Sequence, residues 1–353
     1  MVADGQLLEE QQIVADISGV NFDPEAPLLE VDDLHVEFRL REGVVHANNG
    51  VSYTLNKGET LAIVGESGSG KTVSAQAVMG IIDTPPGYIT KGAARFRGVD
   101  LFTLDEEERR AIRGERIAMI FQDALTALNP VFPVGWQIAE MFRSHRGTSR
   151  AEARKYAIEL LERVRIPGAK ERVDSYPHEF SGGMRQRAMI AMALALGPEV
   201  LIADEPTTAL DVTVQAQIME LLDSLQGETG MGLILITHDL AVIAEVADRA
   251  MVMYAGEAFE SGTIDEIFES PANPYTLGLM ESIATPEQKG GRLIPIEGSP
   301  PDLRNIPRGC PFHPRCRFRQ EICVEEEPAL RELGGGRASK CHFAEEVVKL
   351  DRS

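Results

Sequence analysis

Eight consecutive residues, Gly65-Glu66-Ser67-Gly68-Ser69-Gly70-Lys71-Thr72, constrain the fold of this chain more than any other stretch. The apolar run Glu59–Val64 ahead of them reads as a short buried parallel strand. Val73, Ala77 and Val78 after them set a helical spacing. Strand, GxxxxGKT, helix is the context a phosphate-binding loop requires. Its glycines let successive backbone N–H groups turn inward as an anion nest, and the helix starting near Lys71 aims its positive dipole end at the same place. Lys71 is then placed to reach the β- and γ-phosphates of a nucleoside triphosphate, and the Thr72 hydroxyl to ligate Mg²⁺. A Gly-rich turn with a chance lysine is the alternative, and the flanking pattern argues against it.

Three further apolar runs end in polar residues suited to the same chemistry. Val200–Ala203 ends in Asp204-Glu205. An acid at the tip of such a strand can hold Mg²⁺ through water, and Glu205 can polarise the water that attacks the γ-phosphate. Leu233–Thr237 delivers His238, which can contact the γ-phosphate and orient that water. Ile117–Phe121 delivers Gln122, whose amide can touch both Mg²⁺ and the attacking water. Each has a bland reading as a strand-ending polar turn; the phosphate loop upstream shifts the balance.

With Ser181-Gly182-Gly183-Met184-Arg185-Gln186 added in this order, the chain resembles the ATP-binding subunits of ATP-binding-cassette transporters, from about residue 28 to about residue 330. In that resemblance Gly65–Thr72 matches the Walker A loop, Gln122 the Q-loop and Ser181–Gln186 the signature motif. Val200–Asp204 with Glu205 matches the Walker B strand and catalytic glutamate, Ala209-Leu210-Asp211 the D-loop, and His238 the switch histidine. Phe38 falls where the family usually stacks a tyrosine on adenine; it also suits a strand core. The resemblance implies that two subunits meet head to tail, so that Ser181, Gly182 and Gly183 of one cap the γ-phosphate held by Lys71 of the other. It implies an ATPase that uses ATP and Mg²⁺.

A narrower resemblance, to the oligopeptide and dipeptide importer branch, rests on Ala124–Glu140, Ser270–Ile283 and Ile296–Cys316. It implies two transmembrane permease subunits, an extracytoplasmic solute-binding protein, and a second ATPase subunit expected to be a paralogue. Closely similar ATPases serve nickel, oligosaccharide and glutathione importers. A soluble cassette ATPase of repair or translation would carry a coiled-coil insertion or a second cassette, and an exporter ATPase is usually fused to membrane helices. A metal-sensing regulator built around the cysteines is a further alternative.

The expected fold class is α/β, a P-loop NTPase cassette with a mixed β-sheet. The nucleotide-binding core is expected over 28–122 and 196–262, with Asn49-Gly50 as a turn. A helical subdomain bearing the signature motif is expected over 123–195, with helices over Glu152–Val164 and Met184–Leu196. An acidic flexible extension (1–27) precedes these, and a C-terminal extension (263–353) follows, joined through the Pro/Gly-rich stretch Gly290–Gly309. The net charge of −20 argues against a nucleic-acid role, which would want a basic stripe. No apolar run reaches membrane-spanning length, and the N-terminus lacks the pattern of a secretory signal. The expected location is the cytoplasmic face of the membrane, held there through partners.

All four cysteines, Cys310, Cys316, Cys323 and Cys341, lie in the C-terminal extension, spaced C-x5-C-x6-C-x17-C. The tight knuckles usual for structural zinc are absent. Four loosely spaced thiolates suit a wider cage, and a 4Fe–4S cluster has that size. Some members of the importer branch are similar here and carry the cluster. Zinc, or free thiols, are the alternatives, with His313 and His342 expected to be solvated. The cage lies far in sequence from Lys71, Glu205 and His238, so its expected role is to staple the tail and leave the ATP site untouched.

Overall fold

The computed structural model describes residues 20–208, 210–282 and 295–350. Residues 1–19 of the expected acidic extension, Ala209 of the expected D-loop, Ile283 and the beginning of the Gly290–Gly309 stretch lie outside the described residues. The chain divides into two compact units: Met1–Leu29, Leu55–Glu59 and Phe96–Ile234 make the first, and Glu30–Thr54, Thr60–Arg95 and Leu235–Ser353 the second.

In the first unit the strands Ile117–Ile120 and Val200–Asp204 pair in parallel, from Ile117 opposite Val200 to Ile120 opposite Ala203. Every residue of both is buried. Their runs are apolar without alternation because both faces are covered. The chain between them is helical: Ala124–Ala127, Val134–Arg146, Arg150–Arg163, Ala169–Arg172, a 3-10 turn at Pro177–Glu179, and Gly182–Ala193. Among the described residues no strand interrupts it. Val134–Arg146 packs on Arg150–Arg163, with Phe142 against Tyr156 (ring centroids 5.0 Å apart) over the small buried faces of Ala153 and Ala157. Gly147, at φ 62°, closes the first of these helices, whose last turn carries Arg143, His145 and Arg146 against its dipole.

Two expected helices begin two residues early. Ser149 accepts from the Glu152 N–H and Ser181 from the Met184 N–H, so each serine is an N-cap and the residue after it is already helical. The signature glycines therefore form the first turn of Gly182–Ala193.

In the second unit Thr60–Val64, wholly buried, pairs in parallel with Arg249–Tyr254. The chain turns at Ala255-Gly256 and returns antiparallel as Glu257–Thr263. Far along the sequence, Arg337–Ser339 adds to Glu257–Thr263, with Glu260 opposite Ser339, and Arg331–Gly334 adds beyond it. The C-terminal extension thus contributes two strands to a core sheet. A second sheet places Leu29–Leu40 between Gly43–Leu55 and Gly87–Phe96.

The expected turn at Asn49-Gly50 is not there. The strand Gly43–Leu55 runs through it, and the reversal falls at Arg41-Glu42. Gly50 takes φ 80° inside the strand. Asn49 spends its polar groups elsewhere: its N–H donates to Gly256 O at 2.8 Å, and its Nδ2 to the Glu257 carboxylate at 2.8 Å.

Two buried ion pairs fasten the extension. Glu260, fully buried, accepts from Arg337 at 3.1 Å, and Lys340 lies 3.0 Å from Glu257. Beside them Tyr254, Phe259, Tyr275 and Phe312 form one aromatic cluster, with Tyr254 to Tyr275 centroids 4.6 Å apart and Tyr275 to Phe312 5.2 Å. Phe312 brings the extension into a core that it does not have to build alone.

Candidate functional site

In the second unit the strand Thr60–Val64 runs into the loop Gly65–Gly70, and the helix Lys71–Met79 starts at Lys71. Glycine is obligatory at two loop positions. A Cβ on Gly65 would lie 2.2 Å from Met253 O, and one on Gly70 2.2 Å from Ala47 O, with φ 150° and 99°. Lys71 is buried, and its Nζ donates to Gly65 O at 2.8 Å and Glu66 O at 3.0 Å, so the ammonium folds back across the loop. Ser69 Oγ is buried with no hydrogen-bond partner among the described residues. A glycine cradle with an inward ammonium and an orphaned hydroxyl fits a phosphate chain.

His238 follows the buried strand Gly232–Thr237 and is exposed, while the next residue, Asp239, caps the helix Leu240–Val246. Phe38 is half-buried on Leu29–Leu40, and its ring edge lies 3.0 Å from where a Cβ on Gly87 would stand.

In the first unit Asp204 is buried at the end of its strand. Glu205 next to it has φ 46°, in the left-handed region that non-glycine residues rarely hold. Its carboxylate accepts from Gln122 Nε2 at 2.8 Å and from Thr208 Oγ1 at 2.8 Å. Gln122 and Glu205 were read from separate strands, and the structure brings them together.

Also in this unit Ser181 and Gly182 are exposed at the start of Gly182–Ala193. Gly183 faces the helix Val212–Thr229, where a Cβ would meet Val214 Cγ1 at 2.7 Å. Asp211 caps that helix by accepting from the Val214 N–H at 3.0 Å, which leaves Val212 83% exposed. Gln186, expected to face nucleotide, is instead 5% exposed, on the inward side of its helix. Its helical position, one turn beyond the exposed serine, puts it inside.

Beyond Gln122, the segment Asn129–Trp136 presents apolar groups outward. Phe132 stacks on Trp136 at 4.3 Å, and Val131, Phe132 and Trp136 are all exposed. The buried Gln137 side chain holds the loop, accepting from Asn129 N–H and donating to Asn129 O and Phe132 O.

The four cysteines, none in a disulfide, line one small cavity together with Phe312, His313, His342 and Phe343. The Phe343 N–H donates to Cys341 Sγ at 3.4 Å. Burial pushes the Cys310 thiol up to about 12 and that of Cys341 to about 11. Among the described residues no group of three or more His, Cys, Asp or Glu side chains stands so as to hold a metal ion. His313 and His342 are half-buried at the cavity wall, each in a hydrogen bond with a backbone carbonyl, Cys310 O at 3.0 Å and Glu326 O at 3.1 Å.

Arg315 is the site neighbour that the sequence did not reveal. It lies beside Cys316, and its guanidinium makes two hydrogen bonds to the carboxylate of Glu66 in the phosphate loop, at 2.6 and 2.9 Å.

Comparison with known proteins places these features. The chain is 54% identical over 316 residues to an ATP-binding protein of Brucella abortus named for peptide import, covering 90% of this chain and 95% of that protein. The chain belongs to the ATP-binding-cassette family. The ABC transporter family model matches this cassette over residues 48–208, and the model for the oligopeptide/dipeptide transporter C-terminal region matches it over 259–323. Similarity to the oligopeptide transport ATP-binding protein OppD of Bacillus subtilis is 54% over 304 residues, 86% of this chain and 85% of that one. Among solved structures, the dimeric cassette MJ0796 in a post-hydrolysis state with ADP and Pi matches with TM-score 0.60 at 28% identity, over 67% of this chain and 98% of that one. Clostridium perfringens CbiO1, part of the transporter complex CbiONQ, matches with TM-score 0.59 at 28% identity, over 69% of this chain and 92% of that one. The cassette is an ATPase of a membrane transporter, and none of its described helices is long and apolar enough to cross a membrane.

Proposed function

We propose that this cassette hydrolyses ATP to power import of peptides through two transmembrane permease subunits, at the cytoplasmic face of the membrane, with an extracytoplasmic solute-binding protein supplying the peptide. The observation that carries the reading is the C-terminal extension. Its family region, 259–323, is the oligopeptide/dipeptide one, and relatives 54% identical to this chain are named for peptide import and oligopeptide transport.

In this reading Gly65–Thr72, with Lys71, holds the phosphates. Thr72, Gln122 and Asp204 hold Mg²⁺, which withdraws charge from the phosphates when bound. Glu205 polarises the attacking water, positioned by Gln122 and Thr208, and His238 faces the γ-phosphate. Phe38 stacks on adenine. Ser181, Gly182 and Gly183 cap the nucleotide of a second ATPase subunit, a paralogue. The exposed helix start at Ser181, the outward Val212 beside Asp211 and the dimeric MJ0796 match support a head-to-tail pair. The preformed apolar step Val131, Phe132 and Trp136 suits a permease helix.

Cys310, Cys316, Cys323 and Cys341 hold a 4Fe–4S cluster in the same reading. Convergence on one cavity and the Phe343 N–H bonded to Cys341 Sγ support it. Ligation would remove the protons that burial otherwise keeps on the thiols.

Reconstitution with the two permease subunits and the binding protein tests the reading. ATP-dependent peptide uptake into vesicles supports it; ATP turnover stimulated by a different solute and indifferent to peptides overturns the peptide assignment.

A further inference from the structure

The phosphate loop contains a charge that opposes its own ligand. Glu66 is its second residue, so the loop that makes a nest for anions carries a carboxylate of its own. Three groups fix this residue. Its N–H donates to Tyr275 Oη at 3.0 Å, its carbonyl accepts from Lys71 Nζ at 3.0 Å, and its carboxylate takes the two-pronged bond from Arg315. Tyr275 is fully buried, and the Arg315 side chain is 5% exposed.

Arg315 is itself held firmly. It donates to Tyr254 Oη at 3.3 Å and to Glu297 O at 3.1 Å, and its guanidinium carbon lies 5.7 Å from the Tyr254 ring centre and 5.9 Å from that of Phe312. Burial works against its charge, but the bonds to Glu66 and Tyr254 outweigh that and hold its pKa above the ordinary arginine value. A planar guanidinium fork on a carboxylate, partly shielded from water, is the strong form of this pair.

The structure assigns Arg315 to the ATP site as a positioning residue: it neutralises Glu66 and fixes the outer edge of the phosphate loop, so that triphosphate affinity depends on the C-terminal extension. The inference rests on the reading of Gly65–Thr72 as the phosphate site. Arg315 directly precedes Cys316, so the segment that builds the cysteine cavity also sets the charge at the phosphate loop.

The test is equilibrium binding of labelled ATP and ADP to the full-length subunit. Lys71→Ala removes ATP binding if the phosphate-site reading holds, whatever Arg315 does; unchanged binding there sinks that reading separately. Arg315→Ala is expected to weaken ATP roughly tenfold, the size of one uncompensated charge near the phosphates at the effective dielectric of a protein surface. ADP should weaken less, and the ATP loss should shrink as salt rises. Glu66→Gln with Arg315→Ala should restore affinity to within about threefold of the wild type, because the repelling charge is gone. Glu66→Gln alone leaves Arg315 its bonds to Tyr254 and Glu297 and its charge uncompensated, so ATP should bind several-fold more tightly, and this variant carries the test if Arg315→Ala does not fold. Unchanged ATP affinity in Arg315→Ala, a double variant no better than the single one, or no gain in Glu66→Gln alone overturns the assignment.

Discussion

Gln122 donates its side-chain N–H to the carboxylate of Glu205 across 2.8 Å. With Thr208 on the same carboxylate and φ 46° in the backbone, Glu205 is held in one orientation by groups from two strand ends. Gln122→Ala should leave ATP affinity within about threefold and lower kcat by about tenfold or more, since a base that drifts loses part of its contribution. Turnover and binding measured on the same preparation decide it; a change in affinity with unaltered kcat contradicts the positioning role.

Ser181→Arg should abolish hydrolysis at the nucleotide capped by this helix start while the isolated subunit still binds ATP. Ser181 and Gly182 are exposed, so a bulky cation there removes the helix cap, at a cost of about 1 kcal/mol, without entering the core, and fills the seat of a partner's γ-phosphate. Nucleotide binding and dimer formation, measured separately, check it. Loss of ATP binding by the isolated variant means that the two motifs serve one nucleotide within one chain.

Arg337→Met should destabilise the chain by about 3–5 kcal/mol, because it leaves the buried Glu260 carboxyl without its cation. Glu260→Gln together with Arg337→Met should recover much of that loss. Denaturant unfolding of the three variants gives the comparison; an Arg337→Met variant as stable as the wild type means that the pair does not fasten the Arg337–Ser339 strand.

Anaerobically purified protein should carry about four iron atoms per chain, and Cys316→Ser should lose them. Metal analysis is the check: one zinc and no iron refutes the cluster, and a metal-free chain refutes the cage.

The motifs were legible because each is local. A phosphate loop needs its glycines, and buried strands need unbroken apolar runs, so Thr60–Val64, Val200–Asp204 and Gly232–Thr237 fell within a residue of their expected limits. Helix starts were off by two residues, where serine caps moved them. Asn49-Gly50 carried a turn signal that tertiary bonds to Gly256 and Glu257 override. The place of the extension was not legible. Sequence distance suggested that the cysteine segment stands apart from the ATP loop, yet Arg315 reaches Glu66 249 positions away. Neither residue has a local pattern that announces the other; the sheet that carries Arg249–Tyr254 and Glu257–Thr263 and the packing of Phe312 on Tyr254 and Tyr275 bring the extension to the loop.

The most direct test of the ATPase account is Glu205→Gln in the assembled complex. The amide keeps the shape of the carboxylate and cannot take a proton, so ATP binding should persist, the ATP-bound pair of subunits should accumulate, and steady-state phosphate release should fall by about a hundredfold or more when both ATPase subunits carry the change. Near-normal phosphate release from that doubly substituted complex would contradict the assignment of Glu205.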